Sequence, residues 1–351
     1  MASFTNIQCV RMMDWSNLDN VTKHILRFSK ERRKVRLFLT GGTGFFGKWL
    51  LESILWMNRE LDHPIEVLVL SRNPNSFLKK FPQFTNPEIK FLQGDVRSFQ
   101  FVDDKFDLVI HAATDASVQL NTENPLLMFD TIVEGTRRTL EFSWISGVKK
   151  FLFISTGTVY GTQPPELLKI PENYIGSPDP LDPQSAYGEG KRQAELLCTL
   201  YQKKYVFSVT IARCFAFIGP YLNLDIHFAI GNFIRDGILK QPIIVQGDGT
   251  PLRSYLFGTD LAVWLWMILL RGKAGQAYNV GSDQAISIVE LATLVSQCFS
   301  PSPEVQVLQK PKRDQPCARY IPDIQLAKKE LGLQVYTNLK DSIENTIAWH
   351  Q

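Results

Sequence analysis

The stretch that most limits how this chain folds is "VRLFLTGGTGFFG", residues 35–47. A short apolar run ends at a threonine, and Gly41, Gly44 and Gly47 follow in the spacing G-x-x-G-x-x-G. From about Phe45 to Arg59 the pattern is helical. A buried strand that turns through glycines straight into a helix is the opening of a βαβ unit. Glycine permits the tight turn and lets a pyrophosphate approach the backbone. The helix N-terminus then offers it free N–H groups and the positive end of the dipole.

The same alternation continues down the chain. "IEVLVL" (65–70), "IKFLQGDV" (89–96), "FDLVIHAA" (106–113), "FLFIST" (151–156) and "FSVTIARC" (207–214) read as further buried strands. Helical stretches separate most of them, including about 125–147 and 186–203. Continuous apolar strands alternating with helices predict a parallel sheet covered on both faces. The fold class is therefore α/β, a Rossmann-like doubly wound parallel sheet. After Pro220 the texture changes to turns, short strands and helices, "SIVELATLVSQCF" (287–299) among the helices, and 300–316 reads as loop and edge strand. This predicts a smaller C-terminal α/β lobe. The division expected is a helical extension over 1–34, a dinucleotide-binding domain over 35–220, and the lobe over 221–351, from which the chain can return to the sheet. In the extension, Leu18, Val21, Ile25 and Phe28 recur at helical spacing behind Ser16 or Asn17 as cap. One amphipathic helix packed on the body is the expectation.

Bulk properties narrow the class. Apolar residues make up 44%, enough for a substantial core, and the net charge is only +3. The densest basic run, "KERRK" (30–34), reads as a solvated helix terminus, so no nucleic-acid partner is expected. No stretch approaches the 18 or so apolar residues of a membrane span, and the N-terminus lacks the apolar core of a signal peptide. Cys9, Cys198, Cys214, Cys298 and Cys317 have no paired spacing and read as free thiols of a reducing, cytoplasmic setting. The five histidines have no metal-ligand spacing.

Two further features carry chemistry. "QSAYGEGKR" (184–192) sets Tyr187 four residues before Lys191, on one helical face. A nearby ammonium favours the phenolate, which makes the pair an acid/base candidate. Taken alone, such a pair is common on solvated helices. At the end of the second strand, "LSRN" has Ser71 and Arg72 where NAD binders place an acidic residue. Arginine suits a 2′-phosphate, so the cofactor expected is NAD(P), with NADP favoured over NAD, unless Arg72 is only a solvated charge. Asp95 in "QGDVR" ends the third strand, where it either accepts from an adenine amino group or serves as a turn aspartate.

The glycine loop, "HAA" at the fourth strand, "STGTVYG" at the fifth and "YGEGK" downstream occur in a fixed order. From about residue 35 to its C-terminus the chain resembles the extended short-chain dehydrogenase/reductase superfamily, in its NAD-dependent epimerase/dehydratase branch. The resemblance implies that Tyr187 moves the proton of a sugar hydroxyl as hydride passes to or from the nicotinamide. Lys191 would hold the nicotinamide ribose and lower the tyrosine pKa, and Thr156 would hydrogen-bond the substrate oxygen. It aligns Phe45, Phe46, Val96, Ala112, Ala113 and Thr114 with the glycine loop along the dinucleotide. It also implies a nucleoside-diphosphate sugar as substrate. Arg253 in "GDGTPLRSYLFGTDLA" would inherit a phosphate contact, and Arg313 in "KPKRDQPCARY" a second, with Lys312 close by. A homodimer is implied through the helices at 125–147 and 186–203. Leu126, Leu127 and Phe129 would supply one face, and Leu196, Leu197 and Leu200 the other, unless these are internal core.

Departures from the family pattern bear on the reaction. Ile132 in "IVEGT" and Ala216 in "RCFAFIGP" each replace a usual asparagine; the first speaks against a structural water near Lys191, and the second points to an atypical sugar pocket. Gly157 and Thr158 stand where 4,6-dehydratases carry aspartate and glutamate, and where UDP-glucuronate decarboxylases keep a glutamate at the second position. Neither supplies a carboxyl acid or base, which disfavours elimination by the usual route. "STGTVYG" resembles instead the matching stretch of UDP-galactose 4-epimerases. The expected activity is a 4-epimerase working through a transient 4-keto sugar, then an NADPH-dependent 4-ketoreductase, then a dehydratase or decarboxylase. A non-catalytic dinucleotide sensor is a separate class, disfavoured because tyrosine and lysine are both kept.

Overall fold

A computed structural model describes residues 13–29, 34–114, 118–225, 228–311 and 317–351. The first helix, α1 (Leu18–Ser29), buries Leu18, Val21 and Ile25 completely and packs Phe28 at its edge, as its periodicity predicts. Just before it, Trp15 meets Trp49 at 5.8 Å between ring centroids. The extension is thus part of the same hydrophobic core as the sheet rather than a separate body.

The alternating segment gives β1 (Arg36–Thr40), α2 (Phe45–Met57), β2 (Glu66–Ser71), α3 (Pro74–Lys80), β3 (Ile89–Gln93) and β4 (Leu108–His111). It continues with α4 (Val118–Glu123), α5 (Pro125–Ile145), β5 (Lys150–Thr156), α6 (Ala186–Lys204) and β6 (Ser208–Cys214). The second half contains β7 (Phe217–Ile218), α7 (Ala229–Ile238), β8 (Ile243–Val245), β9 (Leu252–Arg253), β10 (Leu256–Phe257) and α8 (Gly258–Arg271). It closes with β11 (Ala277–Val280), β12 (Ile286–Ser287), α9 (Ile288–Gln297), β13 (Val305–Val307), β14 (Arg319–Tyr320), α10 (Gln325–Leu331) and α11 (Leu339–His350).

The central sheet has seven strands in the order β11-β6-β5-β4-β1-β2-β3. Every pairing in it is parallel. The order reverses between β1 and β4, and ligands of such sheets bind in the crevice beyond the C-terminal strand ends at that point. Those ends are Thr40, His111 and Thr156.

The chain comes back to the central sheet late. Helix α8 is buried from Gly258 to Leu270 and packs against α2, β5 and β6. Its Trp266 indole donates to Ser53 Oγ at 2.8 Å. β11 then joins the sheet as its edge strand. The lobe is built from three small sheets, β12-β9-β14, β13-β8 and β10-β7. A buried polar network fixes the elements under the crevice. Arg213 of β6 pairs with Glu195 of α6 at 2.7 Å, and Ser155 of β5 donates to Glu195 at 2.6 Å. Arg213 also donates to the Tyr160 hydroxyl at 2.9 Å, which in turn donates to Asn279 of β11 at 2.8 Å. A buried pair with each member hydrogen-bonded fixes register more than it adds stability.

Candidate active site

The glycine loop lies where the sheet topology puts it. Gly41 has φ 73°, and a side chain there would collide with the Ala112 carbonyl at the end of β4. Gly44 is different. It caps α2 without any side-chain bond, it is exposed, and a Cβ on it would meet only Gly41 O at 3.4 Å. The first turn of α2 therefore presents its N–H groups to open space, a cradle that fits a dinucleotide pyrophosphate. Phe45 and Phe46 follow, half-buried, with the Phe46 ring 4.9 Å from Phe217.

A buried relay holds the β1 and β4 ends together. Thr40 Oγ1 lies 2.6 Å from His111 Nδ1, and His111 Nε2 lies 3.0 Å from Thr136 Oγ1 of α5. Thr40 Oγ1 also accepts from Ala113 N at 3.2 Å. Burial, helped by the Lys191 charge, drives the His111 pKa down to about 3, so the imidazole is neutral and structural. Thr114 donates back to the Ala113 carbonyl at 2.8 Å. Ala112, Ala113 and Thr114 are all half-buried along the cradle.

At the β2 and β3 ends, Ser71 is buried and its hydroxyl accepts from Asn73 N, while Arg72 is exposed. Asp95 is gripped by the Arg97 guanidinium through bonds of 2.9 and 3.1 Å. Arg97, with a smaller effect from the Arg72 charge, holds this carboxyl below its usual range. The Asp95–Arg97 fork has no counterpart in the sequence expectation. Val96 is buried against Gly135 of α5.

Thr156, Tyr187 and Lys191 come together at the end of β5. Tyr187 sits in the first turn of α6, whose entry is anchored by Tyr187 N donating to Asn121 Oδ1 at 3.1 Å. Thr156 Oγ1 lies 3.0 Å from Thr158 Oγ1 and accepts from Thr158 N at 3.2 Å. Burial pushes the Tyr187 phenol up, and its hydrogen bond with Thr156 pulls it back. Lys191 is 2% exposed, donates to the Ile154 carbonyl at 2.7 Å, and lies 4.9 Å over the Phe153 ring. Burial lowers its pKa to about 8. The Lys191 ammonium is turned to the β5 backbone. Ile132 fills the usual asparagine position with an apolar contact, lying within 3.2 Å of where a Cβ on Gly190 would be. Ala216 contributes its carbonyl to Leu256 N at 3.0 Å.

The lobe reaches this cluster through β9 and β14. Arg253 is half-buried, donates to its own Leu252 carbonyl at 2.8 Å, and is the register partner of Tyr320. The Tyr320 ring lies 4.7 Å from Phe215, and its hydroxyl stands over the 156–158 turn, 2.7 Å from where a Cβ on Gly157 would be. No motif in the sequence marks Tyr320. Arg313 and Lys312 lie outside the described residues. On the outer face, α5 and α6 pack side by side. Leu126, Leu196 and Leu200 are exposed there, Leu127 and Phe129 are half-buried, and Leu197 is buried in the core. Among the described residues no cluster of His, Cys, Asp and Glu is placed to hold a metal ion. No described helix is long and apolar enough to cross a membrane.

The chemistry available is a half-buried phenol and a buried threonine hydroxyl beside a dinucleotide cradle, suited to proton transfer coupled to hydride transfer. Known proteins place this arrangement. UDP-glucuronic acid decarboxylase 6 of Arabidopsis thaliana is 31% identical over 309 residues, covering 88% of this chain and 87% of that one. The UDP-glucose 4-epimerase of Thermotoga maritima, solved with UDP-glucose, shares the fold at a TM-score of 0.75 and 21% identity, covering 90% of this chain and 98% of that one. The UDP-glucuronic acid 4-epimerase of Bacillus cereus, solved with UDP-glucuronic acid and NAD, does so at 0.74 and 22%, covering 90% and 98%. The model of the NAD dependent epimerase/dehydratase family matches residues 37–281. With the glycine cradle, the Thr156–Tyr187 hydroxyl pair and the β5–α6 placement of Lys191 in hand, the chain belongs to the NAD-dependent epimerase/dehydratase family of enzymes.

Proposed function

We propose that this enzyme oxidises C4 of a sugar carried on a nucleoside diphosphate and then decarboxylates it, with UDP-glucuronic acid as substrate. The observation that carries the reading is the Thr156–Tyr187 hydroxyl pair beside the glycine cradle, in a chain whose relatives include UDP-glucuronic acid decarboxylases. NAD held at the α2 N-terminus by the Gly41–Gly47 loop would supply the hydride acceptor for C4 and the hydride that restores it. Thr156 holds the C4 oxygen, and Tyr187 takes its proton and later gives one back. Lys191 fixes the floor of the site through Ile154. Arg253 meets the diphosphate as a permanent cation.

Relatives and chemistry together change the order expected from the sequence, which set an epimerase ahead of a decarboxylase. The missing carboxylates at Gly157 and Thr158 count against dehydration, where a base must remove a carbon-bound proton. The carbon–carbon cleavage of a decarboxylation needs no such base, although the decarboxylases keep a glutamate at the position of Thr158. Once C4 is a ketone, the C6 carboxylate is β to it. The C5–C6 bonding pair moves into the carbonyl, carbon dioxide leaves, and no base is needed for that step.

A 4-epimerisation of the same substrate is the second reading, favoured by the absence of carboxylates and by the fold shared with the Bacillus cereus protein. One incubation of the NAD-loaded enzyme with UDP-glucuronic acid tests both. Carbon dioxide and a UDP-pentose are the expected products. Formation of the C4 epimer with the carboxylate retained supports the second reading. No conversion to either product counts against both.

A further inference from the structure

The 156–158 turn holds a group that the reaction above does not use. Tyr320 reaches it from the lobe, carried on β14 in register with Arg253. Its ring rests on Phe215, and Thr156 neighbours both its hydroxyl and that of Tyr187 closely enough to pull both phenol pKa values down against burial. Gly157 lies under this aromatic pair. A Cβ at 157 would fall 2.7 Å from both the Tyr320 hydroxyl and Phe215 Cζ. The phenol thus fills the space over the turn whose own side chains, those of Gly157 and Thr158, provide no carboxyl.

The chemistry leaves one proton unassigned. Loss of carbon dioxide leaves the former C5–C6 pair as an enolate across C4 and C5. Hydride returns to C4 only after the ketone is restored, so C5 has to take a proton first. Tyr187 is engaged at the C4 oxygen, and the Thr158 alcohol is too weak an acid. A sugar whose C4 oxygen meets Thr156 sets C5 two bonds from that oxygen, beside the turn over which the Tyr320 hydroxyl stands. We propose that Tyr320 is the acid of this site, giving its phenolic proton to C5 as the enolate pair forms the C5–H bond.

This assignment rests on the decarboxylase reading. Burial keeps the Tyr320 phenol protonated, as a donor has to be. The neighbouring Thr156 and Thr158, and the Arg253 charge, stabilise the phenolate it leaves. Solvent reprotonates that phenolate when product departs.

Tyr320→Phe tests the proposal in the full-length, NAD-loaded enzyme, because the phenyl ring keeps the Phe215 contact. Single-turnover mixing with UDP-glucuronic acid follows dinucleotide reduction, carbon dioxide release and pentose formation separately. In the variant, reduction and carbon dioxide release are expected within a few-fold of the wild type. Pentose formation is expected to fall by about 10²-fold or more, the lower end for loss of an acid/base group, with a 4-keto pentose accumulating. Pentose formation at the wild-type rate overturns the role of Tyr320 and leaves the decarboxylase standing. Loss of both half-reactions in the variant overturns it too, since the phenol would then serve oxidation or folding. Failure of the wild type to reduce its dinucleotide with this substrate overturns both.

Discussion

Lys191→Met is expected to stabilise the dinucleotide-free protein while abolishing turnover. The ammonium is 2% exposed, and burial lowers its pKa from 10.5 to about 8. At 1.36 kcal/mol per unit, carrying that charge at neutral pH costs the folded state roughly 3 kcal/mol. The substitution takes the donor away from the Ile154 carbonyl, and leaving a buried acceptor short of a partner costs about 1–3 kcal/mol, which offsets part of the gain. Methionine has similar length and no charge, so a net gain of roughly 1 kcal/mol remains. The sign with pH follows from proton counting. Between about 8 and 10.5 the unfolded lysine holds more proton than the folded one. Wild-type stability therefore rises with pH across that window, and the penalty is fully present only below it. Urea unfolding of both proteins, at neutral pH and near the top of the window, measures the effect. The variant midpoint is expected to be higher at neutral pH, with the gap closing as pH rises. A variant less stable at neutral pH, or a gap that ignores pH, refutes the assignment of Lys191 as a strained functional cation.

Gly44→Ala is expected to keep the folded stability within about 1 kcal/mol, because its Cβ meets nothing closer than 3.4 Å, yet to weaken NAD binding by blocking the cradle; calorimetry and melting on the same sample separate the two. Arg72 is exposed at the β2 end, and we propose that it contacts a 2′-phosphate. Arg72→Ala should then erase an NADP preference of about tenfold or more in calorimetric affinity, and equal affinities in the wild type would show Arg72 to be only a surface charge. Leu126, Leu196 and Leu200 are 69%, 52% and 52% exposed on adjoining faces of α5 and α6. We propose that these faces dimerise: sedimentation at micromolar concentration should give a dimer, and Leu196→Glu with Leu200→Glu a monomer.

Buried parallel strands were legible because both faces are covered, which makes each strand a continuous apolar run. β5 and β6 lie within one residue of their expected bounds. Tyr187 and Lys191 can be paired from their i, i+4 spacing on one helix, whereas Thr156 joins them only through the family resemblance. The direction of Lys191 was not legible, since i, i+4 spacing fixes a shared face but not where a four-carbon stem turns its charge. Helix α8 is apolar on every side, which marks it as buried but does not say in which body. Arg97 forks Asp95 across two residues of loop, a contact without periodicity. Tyr320 enters the site through the two-residue pairing of β14 with β9, too short to leave any pattern.

The central claim is that Tyr187, held by Thr156, moves the proton of a sugar hydroxyl while hydride leaves C4 of the same sugar. Single-turnover absorbance of the bound dinucleotide on mixing with UDP-glucuronic acid measures that step directly. The wild type is expected to give a transient of reduced dinucleotide. Tyr187→Phe should bind the substrate with near wild-type affinity and give a transient slower by roughly 10²–10⁴-fold. A Tyr187→Phe transient at the wild-type rate would contradict the claim.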